Sequence, residues 1–187
     1  FPSAGEHRVA ARLESDPVAA DNARHAVIEF PADLPVLLID SDEAAADASY
    51  VSAALSPGGP VATGISPRIE KPRYLSLNEL DQFRAIYLLN IERLDRSAIE
   101  ALERYIADGG GVGVFLGPRS SAAFFNAELY RDGEGFFPLP LLGEEVLLVD
   151  RVRKAPDLEV TEHPIFRVFV GSRNGFIATV AIDRYFG

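Results

Sequence analysis

The N-terminal part of the chain alternates apolar and polar residues with a period of two. Two segments, near residues 8–14 and 25–30, each place apolar side chains on one face and charged side chains on the other. Turn-forming residues, Asp16-Pro17 and Asp21-Asn22, separate them. The pattern predicts two antiparallel strands. Because such a ribbon is marginally stable alone in water, we expect it to dock on the main domain or to end a sheet that lies upstream.

From Val36 onward, short continuous apolar runs alternate with amphipathic segments. The runs predict strands that are covered on both faces, and the amphipathic segments predict helices. Strands are predicted at residues 36–39, 73–75, 85–89, 112–116, 145–149 and 176–182, and helices after residue 41, after residue 95 or 97, and over 120–130 with Ala123, Phe124 and Ala127 inward. The predicted fold class is α/β: a three-layer, mostly parallel sheet of flavodoxin-like or amidotransferase-like topology, preceded by a short antiparallel β ribbon.

Polar residues at the predicted helix starts fit N-terminal caps. Ser41 is predicted to cap the first helix, with the two acids that follow it in the first turn. Asp95 or Ser97 is predicted to cap the next helix, and Ser97 with Glu100 fits a capping box. Gly109-Gly110-Gly111 then ends that helix, because glycine adopts the left-handed conformation that such ends use.

The composition of the chain argues against several classes of function. The chain has 187 residues, 48% of them apolar, which is enough for one well-buried domain and a small appendage. A formal net charge of −10 argues against nucleic-acid binding. The absence of Cys excludes disulfides, Cys-based zinc sites and thiol catalysis. The sequence contains no Met and no apolar run near the roughly 18 residues of a membrane span, so we expect a soluble piece of a longer protein that does not itself insert into a membrane.

Gly113-Val114-Phe115-Leu116-Gly117 ends the fourth predicted core strand with small residues on either side of Phe115. A strand that ends in a sharp turn can hold a nucleophile above the sheet edge. A benzyl group cannot attack a carbonyl or carry a proton. We therefore predict a degenerate nucleophile elbow at Gly113, Phe115 and Gly117, with no catalytic residue, cofactor or metal.

This stretch is similar to the Gly-Ile-Cys-Leu-Gly elbow of class I glutamine amidotransferases, with Phe115 at the nucleophile's position. The resemblance covers residues 36–117. It implies a downstream His-Pro-Glu, where this chain has His163-Pro164-Ile165. The His-Pro-Ile sequence resembles the trehalose-utilisation branch of the same superfamily, which lacks glutaminase activity.

A second resemblance covers the whole chain. Residues 5–9, 21–24, 36–40 and 182–186 are similar to a passage in large bacterial membrane proteins of the aerotolerance-operon type, which carry a von Willebrand A domain. The resemblance implies that residues 1–33 end an immunoglobulin-like domain and that 34–187 form an amidotransferase-like domain. It also implies an extracytoplasmic (periplasmic) location in a membrane-anchored parent, with other domains of that parent or other envelope proteins as partners.

Acidic residues follow the first core strand. Asp40 and Asp42, with Glu43, resemble the magnesium site of phosphorylation-receiver domains, and Asn90 stands where such domains keep the phosphoacceptor aspartate. An amide cannot accept a phosphoryl group. Two interpretations stay open: a weak magnesium site at Asp40 and Asp42, or acids that favour the start of a helix.

Four more residues are candidates for a ligand or partner surface. Ser121 and His163 form the one imaginable nucleophile–base pair, although Ser121 also fits a helix cap. Phe136 and Phe137 lie in an aromatic, proline-rich loop and could bind a partner or fold back as a lid on the sheet edge.

These observations favour a non-catalytic domain that acts in protein interaction or scaffolding. One alternative is a small-molecule hydrolase or sugar-binding domain that uses His163, Asp40 and Asp42. Another is a degenerate receiver-like regulatory domain.

Overall fold

The computed structural model describes residues 4–13, 22–60, 62–147, 157–158, 163–164 and 177–187. The chain divides into two compact units, Phe1–Ser120 and Ser121–Gly187. Across the described residues, we find no helix with the length and apolar character needed to cross a membrane.

The predicted N-terminal ribbon is confirmed. Strand β1 (Gly5–Arg12) pairs antiparallel with β2 (Ala23–Phe30), and Val9 lies opposite Ala26. The register therefore places the apolar residues of both strands on the same face. All residues of the two strands are exposed except His7 and Phe30, which are half-buried and meet edge to face with ring centroids 5.5 Å apart.

A four-stranded parallel sheet forms the centre of the first unit. Its strands are β3 (Leu34–Asp40), β4 (Ile65–Glu70), β5 (Ala85–Leu89) and β6 (Gly111–Phe115), in the order β4-β3-β5-β6. All three pairings are parallel. The fold class is thus α/β, with a separate antiparallel ribbon. The apolar run of β3 is buried throughout, as expected for a strand covered on both faces.

The described residues of this unit form three helices: α1 (Ala46–Leu55), α2 (Tyr74–Leu77) and α3 (Arg96–Ala107). Helix α1 packs on β3 and β4, where its Ala48 joins a core cluster with Val36 and Leu38. Helix α3 contacts α2 and β6. It ends at the predicted glycines: Gly109, two residues after the last helical residue, has a φ of 95°, which is left-handed.

The predicted strand at residues 73–75 is wrong. The strand lies earlier, at β4, and α2 occupies the predicted position. Strand β4 contains Pro67, which cannot donate a hydrogen bond to a neighbouring strand. Because β4 is at the edge of the sheet, the proline is tolerated there.

Helix α3 is capped by Asp95, one of the two predicted residues. The Asp95 carboxylate accepts hydrogen bonds from the Ala98 N–H at 2.7 Å and from the Ser97 hydroxyl at 2.8 Å. The predicted capping box is wrong, because Ser97 lies inside the first turn and Glu100 pairs with Arg96 instead. The Ser97 hydroxyl, followed by the Ala98 N–H, holds the pKa of Asp95 below its ordinary value of 3.8.

We expect Asp95→Ala to lower the free energy of unfolding at pH 7 by about 1 kcal/mol, the usual value of an N-terminal cap. The folded-state pKa of Asp95 is below its unfolded value, so its charge-dependent stabilisation is present above 3.8 and is lost as pH falls through the folded pKa. Urea unfolding at pH 7 and in acid measures both effects. Asp95→Asn, which caps without titrating, is the matched control; a wild-type protein that lost no stability in acid relative to this variant would contradict the prediction.

The second unit begins with a helix that changes its winding. Helix α4 (Ala122–Phe124) continues as a π-helix over Phe125–Tyr130 and a short 3₁₀ turn. The expected inward positions Ala123 and Ala127 are exposed. Phe124 is buried, as predicted, and Phe125 and Leu129 are buried in place of the two alanines, because larger side chains gain more from burial.

A short antiparallel pair closes the second unit. Strand β7 (Glu144–Val146) pairs with β8 (Arg184–Phe186). The strand predicted at 145–149 therefore begins one residue early, and residues 148–149 lie outside the described residues. The strand predicted at 176–182 is wrong where it can be checked, since Ile177–Thr179 form a 3₁₀ helix.

Candidate functional site

The strand order places a topological switch point between β3 and β5. From β3 the chain passes to β4 on one side, and it then returns to β5 on the other side. In open α/β sheets, ligands bind outside the carboxyl ends of the strands at such a point. Asp40, Asn90 and Phe115 lie at the carboxyl ends of β3, β5 and β6. The three predicted core-strand ends therefore meet at one sheet edge.

A cavity of about 290 Å³ opens at this edge. Helix α1 provides one wall, and the ends of β5 and β6 provide the other. We call it the switch-point cleft, and its lining residues are Asp47, Tyr50, Val51, Leu89, Asn90, Phe115, Leu116, Gly117 and Pro118.

Asp40 is a structural residue beside this cleft. Its side chain is fully buried, and its two carboxylate oxygens accept hydrogen bonds from the Asp42 N–H at 2.7 Å and the Ala48 N–H at 2.9 Å. It thus holds the loop after β3 and the first turn of α1, a role predicted for Ser41. That prediction is wrong because α1 begins at Ala46, four residues later than a Ser41 cap requires.

The possible magnesium site at Asp40 and Asp42 is not supported by this geometry. Asp40 is inaccessible, and both its oxygens are already engaged with backbone N–H groups. The Asp42 carboxylate pairs with the Arg119 guanidinium at 2.9 Å, and the Asp42 carbonyl accepts from the Lys71 ammonium. Among the described residues, no three His, Asp or Glu side chains are grouped so that they could hold a metal ion.

Asn90 ties together three segments of the sheet edge. Its N–H donates to the Phe115 carbonyl at 2.8 Å, its side-chain amide donates to Asp47 at 3.2 Å, and its side-chain oxygen accepts from the Arg119 N–H at 2.8 Å. Its φ is 50°, a left-handed conformation that asparagine tolerates better than most residues. A Cβ at Gly117 would lie 2.6 Å from the Asn90 side chain. Gly117 is therefore explained by close approach to Asn90.

Phe115 faces the cleft from the last position of β6. Its side chain is 52% exposed, and its ring centroid lies 5.9 Å from that of Tyr87. Phe115 is regular strand, and the predicted turn follows it over Gly117–Ser120, where the Ser120 N–H donates to the Gly117 carbonyl at 2.9 Å. Six residues separate Phe115 from the helix that begins at Ala122. Gly113 serves a packing purpose, because a Cβ there would lie 2.6 Å from the Tyr87 ring.

The other candidate residues belong to the second unit. The Ser121 hydroxyl accepts from the Phe124 N–H at 3.4 Å, so the predicted helix cap is present. The Phe137 ring packs edge to face on Phe125 with centroids 5.1 Å apart, and Phe136 is half-buried. His163 is exposed.

Sequence analysis missed three residues at the sheet edge. Asp47 and Tyr50 are three positions apart, a spacing that puts both on one face of a helix and could have identified them. No such signal exists for Arg119, whose partner Asp42 is 77 residues away in the chain.

Comparison of the chain with protein-family models, with curated proteins and with solved structures found no match in any of the three.

Proposed function

We propose that this chain is a non-catalytic, class I glutamine amidotransferase-like domain that acts in protein interaction or scaffolding within a larger cell-envelope protein. One observation carries the proposal: a half-exposed phenyl ring, Phe115, stands in the switch-point cleft, at the position that the resemblance gives to the nucleophile. A phenyl group forms no covalent intermediate and transfers no proton.

The engagement of the nearby polar side chains supports the same conclusion. Asp40 is buried under two backbone N–H groups, Asp42 is paired with Arg119, and Asn90 bridges Asp47 and the Arg119 backbone. These groups hold the loops of the sheet edge. A general base or acid needs a lone pair or proton that is available to substrate, and the chain contains no Cys to supply a thiolate.

The finer fold assignment is part of the proposal. Numbered from β3, the sheet has the order 2-1-3-4, which is the beginning of the flavodoxin-like order. We infer a three-layer domain over residues 34–187 and assign 1–33, which contain the exposed ribbon, to the end of an upstream immunoglobulin-like domain. The extracytoplasmic location and the membrane-anchored parent follow from the resemblance of the sequence.

Turnover assays on purified wild-type protein test the proposal. We expect no hydrolysis of glutamine, p-nitrophenyl acetate or acetyl phosphate above the buffer rate, with Ser121→Ala and His163→Ala variants giving the same baseline. Turnover that either substitution abolished, in a variant whose circular dichroism matched wild type, would overturn the proposal.

A further inference from the structure

Two exposed aromatic side chains line the switch-point cleft together with one carboxylate. Tyr50 is 79% exposed and Phe115 is 52% exposed, although both are large and largely apolar. Asp47 lies three residues before Tyr50 on α1, so the carboxylate and the phenol ring share one side of the helix. The cleft thus combines apolar walls with a negative charge.

The charge of Asp47 is not neutralised by a neighbouring cation. Its carboxylate accepts one hydrogen bond, from the uncharged Asn90 amide. The basic side chains at this edge, Arg119 and Lys71, are directed to Asp42 instead. Within the part of the chain that the structure describes, Asp47 has no ion-pair partner. The formal net charge of the whole chain, −10, adds a long-range attraction for cations.

The cleft is small for an enzyme or cofactor site. Its volume of about 290 Å³ is at the lower limit of ligand pockets, which hold roughly 300–1,000 Å³. This size suits a single side chain better than a nucleotide or a flavin. An anionic group would be repelled by Asp47, and a purely apolar group would desolvate that carboxylate without compensation.

We propose that the switch-point cleft binds a lysine or arginine side chain of a partner protein. The cationic head binds the Asp47 carboxylate, and the aliphatic stem lies against the rings of Tyr50 and Phe115. Aromatic rings attract such cations through their quadrupole. The long stems of lysine and arginine cover apolar surface while the charged head stays in contact with polar groups. This inference rests on the proposed function, because it identifies what an interaction domain would recognise.

An NMR titration of the intact ¹⁵N-labelled chain tests it. The probes are N-acetyl-lysine methylamide, N-acetyl-arginine methylamide and, as the neutral control of similar shape, N-acetyl-norleucine methylamide. We expect saturable shifts of the amides of Asp47, Tyr50 and Asn90 with the two cationic probes. Because Asp47 is exposed, the charge is expected to contribute about 0.7 kcal/mol, which corresponds to roughly threefold weaker binding of norleucine.

Variants separate the two parts of the cleft. Asp47→Asn, which keeps the size of the side chain, is expected to weaken cation binding about threefold, the value of an exposed ion pair. Phe115→Ala is expected to weaken it about threefold, because the aliphatic stem loses the apolar surface against which it lies. Glu79→Gln removes the same charge from an exposed position outside the cleft and should leave binding unchanged. If Asp47→Asn does not fold, Tyr50→Ala replaces it, since Tyr50 is the more exposed of the two rings that line the cleft.

Three results would overturn the inference: no saturable shifts with either cationic probe, equal binding of norleucine, or equal effects of Asp47→Asn and Glu79→Gln. These outcomes leave the non-catalytic proposal intact, because that proposal depends on the turnover assays.

Discussion

Asp40→Ala is expected to lower the free energy of unfolding by about 3 kcal/mol, because an unpaired buried donor costs roughly 1–3 kcal/mol and this change leaves two. The Ala48 N–H is buried inside the first turn of α1, and the Asp42 N–H is partly buried in the loop before it. Alanine provides no acceptor for either group. Urea unfolding followed by circular dichroism at 222 nm measures the loss.

The neighbouring acid gives a matched control for this result. Asp42→Ala removes a partly exposed ion pair with Arg119, and such pairs contribute about 0.5 kcal/mol. If the two substitutions lower the free energy of unfolding equally, Asp40 is not the structural residue described above. The comparison also bears on the receiver-like alternative. A carboxylate whose role is to bind magnesium would contribute little to the stability of the metal-free protein, so its replacement would change the free energy of unfolding only slightly.

Gly135→Ala is expected to destabilise the protein by about 3 kcal/mol, the upper part of the range for overpacking. A Cβ at this position would overlap the backbone carbonyl of Leu129, which a rotamer change cannot relieve. Gly135 donates its N–H to Tyr130, and Phe137 donates to Leu129, so this segment closes the end of the π-helix. We expect the edge-to-face contact of Phe137 with Phe125 to be lost as well.

Gly111→Ala is the control for this second change. The same methyl group added there would meet only the Arg84 carbonyl, at 4.0 Å, and the φ of Gly111 is not positive. We expect the free energy of unfolding of this variant to lie within about 0.5 kcal/mol of the wild-type value. Thermal unfolding of both variants, with near-ultraviolet circular dichroism to report the aromatic contact, checks the pair. A Gly135→Ala protein as stable as Gly111→Ala would contradict the prediction.

Features of the fold that depend on short stretches of sequence were predicted correctly. The apolar runs of β3, β5 and β6, the amphipathic pattern of α3 and the glycines after it lie within a few residues of their predicted positions. The ribbon was found because its alternation has a period of two. These signals are local, since burial of a strand or of one helix face fixes which nearby positions must be apolar.

Contacts between distant residues could not be read in the same way. A helix cap was expected at Ser41, whereas Asp40 reaches Ala48 because the loop after β3 turns back on itself. Strand β4 was missed because its proline argues against a strand unless the strand is known to be at an edge. Whether a strand is at the edge depends on the order β4-β3-β5-β6, which no local pattern specifies.

The same division holds at the candidate site. The sequence alone determined the α/β class, the absence of any thiol and the phenyl group at the end of β6, because these follow from residue types and their periodicity. Only the tertiary structure decided that Asp40 is buried, that Asn90 joins Asp47 to Arg119, and that Tyr50 and Phe115 line one cleft. The physical reason is that parallel strands bring their carboxyl ends to one edge, so side chains far apart in sequence meet there.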